Sequence, residues 1–487
     1  MGLSRRSVLS LQLGGLALLL IAIAGAQAAA AQEIPITTKS QEALKLFLEG
    51  RAKDENYHVE EANRLFAQAA AVDPGFALAH LSTAFTAADP KVTDEELRKA
   101  VALIENVSKG EQLMIAARQA AWIENDPVRE NALLKQLADL FPNDKRAHLY
   151  LASSYAGREE TDQAIAEFEK AIALDKDFAR AHYQLGYVYF PKGEFEKAEE
   201  HFQAYLKLAP SEPNPHDCLA DLYMKMGRFE EAIRHYEKAV ELDPHFSASQ
   251  LKIGSCCVLL GRYEEGRRAM EKAKGMETEP ANKIGDEEAI ALSYIYAGEY
   301  PKALDRLDSA IRMAGEMGLP LSAANGHQIK SMIFIETDDP AGAAKSLEAF
   351  KACLDDPKVA ASDKAAMAPN LPLFEALIAV RKGDIPGAKP KLEEFRAASA
   401  KINDPLLAKY GEWTEGHIAL AQGDAAGADA RFTKAAIDDP YFIYYGAVAK
   451  EKAGDAAGAK KLYAKVADWN QYTINHALVR SKAKAKI

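Results

Sequence analysis

Residues 226–246 read MGRFEEAIRHYEKAVELDPHF. After the glycine, apolar residues recur at Phe229, Ala232, Ile233, Tyr236 and Ala239, and Asp243-Pro244 closes the run. Spacings of three and four place those side chains along one stripe of a helix. Proline lacks the N–H that a continuing helix needs, so the helix must stop before Pro244. One amphipathic helix of this length is not stable alone, so its stripe needs a partner.

The same cadence returns at a fixed distance. HYQLGYVYFPKGEFEKAEEHFQAYLKLAP (182–210) and HDCLADLYMKMGRFEEAIRHYEKAVELDP (216–244) align at a shift of 34, and HLYLASSYAGREETDQAIAEFEKAIALDK (148–176) lies one period earlier. Residues 179–212 hold His182, Leu185, Gly186, Tyr189, Ala198, Phe202, Tyr205 and Pro210 at the recurring places. Residues 213–246 hold His216, Leu219, Ala220, Tyr223, Ala232, Tyr236, Ala239 and Pro244 there. The register extends without insertion, with units starting at 43, 77, 111, 145, 179, 213 and 247. Beyond residue 280 the spacing loosens, but GEYPKALDRLDSA, GDIPGAKPKLEEF, GDAAGADARFTKA and GDAAGAKKLYAKV keep the pattern; divergent units are placed at 284, 324, 369, 409 and 440. Residues 355–372 read as a long connecting loop or hinge.

These places resemble the tetratricopeptide repeat, a 34-residue helix-turn-helix unit. The resemblance implies an all-α solenoid, a right-handed superhelix of helix pairs in which each pair covers its neighbour's apolar stripe. Small residues such as Gly186 and Ala198 would let the helices of a pair approach closely. The organisation expected is a cleavable signal over 1–31, a linker over 32–42, a regular array over 43–280, divergent repeats over 281–468, and a closing helix with a basic tail over 469–487.

Residues 1–31 carry Arg5 and Arg6, a short apolar core LQLGGLALLLIAIAG (11–25) and small residues before an expected cut at Ala31/Gln32. That core is shorter than the roughly 20 residues of a spanning helix. It reads as an export signal. SRRSVL (4–9) also resembles the twin-arginine signal, with Val8 in place of its Phe. Periplasmic or secreted localisation by either route is therefore expected. Without residues 1–31 the chain has 58 Lys and Arg against 71 Asp and Glu. So acidic a chain repels phosphate backbones, and nucleic acid is not an expected partner.

No phosphate-binding loop, nucleophile elbow or zinc-protease motif is present, so neither catalysis nor a cofactor or metal is expected. His80, His148, His182 and His216 share one place of their units. Packed helices lie about 10 Å apart, whereas zinc ligands sit about 2 Å from the ion, so the histidines read as packing residues. Cys218, Cys256, Cys257 and Cys353 include no C-x-x-C and read as structural thiols, the first three within first helices.

The resemblance also implies that places two, five, nine and twelve of a unit face an inner groove that binds a partner protein or peptide. The candidate partner-binding residues are Gln119, Trp122, Arg146, Arg180, Tyr183, Tyr187, Phe190, Asn214, Asp217, Asp221 and Met224. The family's carboxylate clamp is not matched, because Leu149, Ser153, Gln184, Asn214 and Cys218 stand at its places. The function expected is that of an exported scaffold or adaptor. Its alternatives are a small-molecule or glycan receptor using the aromatic groove, and an enzyme or cofactor carrier exported folded.

Overall fold

The computed structural model describes residues 33–402 and 404–487, which form two compact units, one ending at Leu222 and the other starting at Tyr223. Among these residues there are helices and no strand, and the fold is an all-α solenoid of tandem helix pairs.

In the first unit the pairs are α1 Gln41–Glu55 with α2 Val59–Val72, α3 Ala77–Thr86 with α4 Pro90–Ala102, and α5 Lys109–Trp122 with α6 Pro127–Leu140. They continue with α7 Lys145–Gly157 and α8 Thr161–Leu174, then α9 Ala179–Lys192 and α10 Phe195–Leu208. α11, Pro213–Lys225, runs across the division. The second unit continues with α12 Phe229–Leu242, α13 Ser247–Leu259, α14 Tyr263–Met276, α15 Asn282–Tyr296, α16 Tyr300–Glu316, α17 Pro320–Glu336 and α18 Pro340–Leu354. It ends with α19 Ala361–Met367, α20 Asn370–Arg381, α21 Ile385–Ser399, α22 Pro405–Ala421, α23 Ala425–Ala435, α24 Pro440–Lys452, α25 Ala456–Ala467 and α26 Ile474–Lys484. Residues 355–372, expected as a loop, thus contain the seven-residue helix α19.

One internal distance recurs in almost every pair. A small residue on the first helix faces a large one sixteen residues later on the second. A Cβ added at Gly50 would meet the Phe66 ring at 2.9 Å, and one added at Gly416 would meet the Phe432 ring at 2.6 Å. Gly186 opposes Phe202, and Gly254 opposes Met270, in the same way. Ala152 and Phe168, Ala291 and Leu307, Ala376 and Leu392, and Ala447 and Tyr463 have the same sixteen-residue offset and are all buried. In the pairs closed by Gly50, Gly186, Gly254 and Gly416 the two helices therefore meet at one height. The loosened period after residue 280 has another source: α16, α17 and α22 are 17 residues long, against 14 for α8 to α10.

The shared histidines tie pairs together. His80 Nδ1 lies 2.6 Å from the Glu96 carboxylate and Nε2 lies 3.1 Å from the Pro74 carbonyl. His148 repeats this with Glu167 at 2.6 Å and the Pro142 carbonyl at 2.9 Å. His182 reaches the Lys176 carbonyl and, where the acid would stand, His201. Each ring thus links the second helix of its own pair to the linker that precedes it, which is why a hydrogen-bonding ring occupies a buried place. The four cysteines form no disulfide; Cys218, Cys256 and Cys257 are buried in α11 and α13.

The C-terminal segment lies against first helices. α26 packs on α15, α17, α24 and α25. The Tyr472 ring stacks on Tyr296 at 5.1 Å, and its hydroxyl donates to the Ala289 carbonyl at 2.8 Å. Lys482 donates to Glu336, a buried carboxylate that also accepts from the Tyr441 and Tyr445 hydroxyls. Burial opposes the charge on Glu336, but Lys482 and these hydroxyls hold its pKa below the usual value.

Candidate functional site

The first helices of the first unit carry most of the residues singled out from the sequence, and the structure sorts them into three groups.

Arg180, Tyr183, Tyr187, Phe190 and Asn214 form a contiguous set, but the chain's own α1–α2 turn occupies one end of it. Arg180 pairs with Asp54 through one guanidinium nitrogen and both carboxylate oxygens. The Tyr57 ring sits 4.2 Å from Tyr183 and 6.0 Å from Tyr205. His58 Nδ1 lies 2.9 Å from the Glu212 carboxylate. Tyr57 holds φ at 66°, a conformation a side chain pays for unless its surroundings fix it. Tyr183 therefore packs within a tyrosine cluster, where burial raises its pKa. Tyr187 packs on Phe202 at 5.1 Å and on Phe190 at 6.3 Å, and donates to Cys218 Sγ at 3.6 Å. Asn214 donates to the Tyr205 hydroxyl at 3.4 Å.

The second group is built into the fold. Arg146 is buried, and its Nε donates to Asp144 Oδ1 at 2.8 Å. Asp144 also accepts from the Ile34 amide at 2.9 Å, which ties that segment to the start of α7. Asp217 is buried, and Asp221 is half-buried. Met224, beyond the division, accepts from the Tyr236 hydroxyl at 3.8 Å.

The third group is open. Trp122 is 42% exposed, and Gln119 donates to Glu124 at 3.0 Å. Arg118 of α5 lines a cavity of about 270 Å³ together with Phe85 of α3, Met114 of α5, Glu130 of α6, Tyr150 and Ser153 of α7, and Arg180 and Gln184 of α9. The Arg118 guanidinium stands 4.5 Å from the Phe85 ring centroid and 5.2 Å from that of Trp122. Phe85 stacks on Tyr150 at 5.9 Å. The Nε atoms of Arg118 and of Arg180 are both buried without an acceptor among the described residues. Burial lowers the pKa of Arg118 and raises that of Glu130; each opposes the other's shift, yet no ion pair joins them among the described residues. Ser153 donates to Gln184 at 2.7 Å, closing the floor.

Arg118 is absent from the residues chosen on the sequence, although a signal existed. It occupies the place held by Gly50, Ala84, Ala152, Gly186, Ala220 and Gly254 in the other early pairs, and its partner sixteen residues later is Leu134. A long charged side chain stands where pairs otherwise close on a small one, and the cavity opens there.

A family model described as "Tetratricopeptide repeat" matches residues 151–213, and a second with the same description matches residues 218–246. No curated protein matches the chain significantly. Among solved structures, the chain is similar to YrrB, described as a TPR protein with an unusual peptide-binding site. That match is 23% identical over 39% of this chain and 96% of YrrB, with a TM-score of 0.31. A tetratricopeptide repeat protein from Parabacteroides merdae matches at 16% identity over 51% of this chain and 94% of its own, with a TM-score of 0.42. TTC0263 of Thermus thermophilus matches at 20% identity over 37% and 98%, with a TM-score of 0.31.

Proposed function

Taking the chain as the tetratricopeptide-repeat protein it is, we propose that it acts as a scaffold whose first unit grips a segment of a partner protein at the Arg118 cavity. The observation that carries this reading is the pair of buried arginine Nε donors, on Arg118 and Arg180, lining one cavity without acceptors. Buried polar groups are nearly always paired, and an unpaired donor beside open space favours a ligand that brings an acceptor. Phe85, Met114 and Tyr150 supply the apolar wall on which an anchor side chain would rest. The partner segment therefore carries a carboxylate next to an apolar or aromatic residue. Trp122 lies beside the Arg118 guanidinium, and in this reading the Tyr183–Tyr187–Phe190 set extends the same face where the α1–α2 turn leaves it uncovered.

The scaffold turns over no substrate in this reading. The proposal also places the mature chain in the periplasm or outside the cell, on the strength of residues 1–31, which lie outside the described residues. N-terminal sequencing of protein recovered from the envelope tests that part: a mature start at Gln32 is expected, and an intact Met1 in soluble cytosol would refute it. The binding reading is tested by panning a random peptide display library against the full chain and against Arg118→Gln. Enrichment of Asp or Glu flanked by apolar residues, lost with Arg118→Gln, is expected. Enrichment of basic peptides, or equal enrichment by both proteins, would refute it.

A further inference from the structure

The second unit contains a different kind of cavity. It measures about 380 Å³ and lies among α17, α20, α22 and α24, with Ile474 and Asn475 of α26 at its edge. Aromatic rings from three helices form its walls: Phe374, Tyr410, Tyr441 and Phe442, joined by Trp413. A volume of this size is at the lower end of the roughly 300–1,000 Å³ range of small-molecule sites.

Trp413 is the informative residue. It is only 3% exposed, and its ring is held between His417 at 4.1 Å, Phe442 at 4.8 Å and Tyr441 at 5.6 Å. Its indole N–H nevertheless has no acceptor among the described residues. Indole nitrogen only donates, and a buried donor left unpaired forfeits the solvation it had in water. The amides at the cavity already have partners: Asn370 donates to Gln328 at 3.4 Å, and Asn475 donates to Asp439 at 2.8 Å. The cavity thus combines flat apolar walls with a buried indole donor that has no acceptor among the described residues, and no charged side chain lines it.

We propose that this cavity is a binding site for a small, uncharged, planar aromatic molecule bearing a carbonyl-type acceptor, which takes its hydrogen bond from Trp413. The stacked rings supply the affinity, and the indole N–H supplies the selection for an acceptor. This site is separate from the peptide-binding reading of the first unit and does not depend on it.

A matched pair of probes tests the assignment. 2-Acetylnaphthalene and 2-ethylnaphthalene have nearly the same shape and differ in the carbonyl. Equilibrium dialysis of each against the full chain is expected to show binding of both, with the acetyl compound tighter by about tenfold, the worth of one buried hydrogen bond. Trp413→Phe keeps a ring but removes the donor, and should bring the two affinities together. Leu407→Trp, at a half-buried position of the lining, should fill the cavity and abolish binding of both probes while the protein still melts cooperatively. Absence of binding to the unaltered chain would overturn the proposal, as would a preference for the acetyl compound that survives Trp413→Phe. If Trp413→Phe does not fold, the Leu407→Trp protein decides: binding like that of the unaltered chain places the probes elsewhere and overturns the assignment.

Discussion

Replacing Gly186 by alanine perturbs a close contact that recurs in most of the helix pairs. The new Cβ would stand 2.6 Å from Phe202 Cδ1 and closer still to Cε1. Real Cβ contacts do not occur at that distance, and Phe202 is 1% exposed, so its ring has no free space to enter. Overpacking a closed core costs about 1–3 kcal/mol. Alanine is a better helix former than glycine by about 1 kcal/mol in a helix interior, which offsets part of this. The net expectation is destabilisation by up to about 2 kcal/mol. Gly285→Ala is the matched control. It lies within α15 with nothing within 4 Å of the added Cβ, so only the propensity term applies, and it should stabilise by about 0.5–1 kcal/mol. Both are read from urea unfolding midpoints followed by far-ultraviolet circular dichroism, with hydrogen exchange in α9 and α10 locating the Gly186 effect. If both substitutions stabilise equally, the sixteen-residue contact does not limit how closely the helices of a pair approach.

Three further outcomes are expected. Burial holds His476 down at about 4, with Arg480 adding to the effect, and burial with His182 nearby holds His201 at about 4. Above pH 6.5 these rings are neutral whether folded or not; below it the unfolded rings take protons that the folded ones refuse, so urea midpoints should fall steadily from pH 6.5 toward 4. The His476 contribution is up to about 3 kcal/mol, and His476→Asn should flatten the slope; an unchanged slope would contradict the shift. Glu336→Ala leaves Lys482 and two tyrosine hydroxyls without their shared acceptor and should cost about 3–5 kcal/mol, with faster hydrogen exchange in residues 474–484; unchanged exchange there would show that α26 is held by apolar contacts alone. Ala232→Leu places a larger side chain at a fully buried site of α12 and should lower stability by about 1–3 kcal/mol, read as a lower melting temperature.

The helix pairs were legible in the sequence because their signals are local. Gly193, Gly227 and Gly261 take positive φ in the turn within each pair, and the apolar spacing follows from helical geometry. α17, with its 17 residues, shows why the period loosens after residue 280, although the second-helix pattern persists. The site was less legible. Tyr183 reads as a groove aromatic from its place, yet Tyr57, more than a hundred residues earlier, lies against it. Nothing local in DENYH announces that contact, because it arises from stacking several pairs. The seating of α26 against α15 and α17 is likewise a long-range packing outcome. Arg118 could have been found: a charged residue at a place that other pairs give to Gly or Ala breaks the pattern, and such breaks gather at functional sites.

In the function we propose, the Arg118 cavity of the first unit receives an acidic, apolar-flanked segment of a partner protein. Fluorescence anisotropy of a labelled peptide selected from the display library, titrated with the unaltered chain and with Arg118→Gln, tests it most directly. Loss of one charged hydrogen-bonding partner should weaken binding by about tenfold or more while the melting temperature holds. Equal affinity for the two proteins would contradict the claim and move the binding surface elsewhere on the chain.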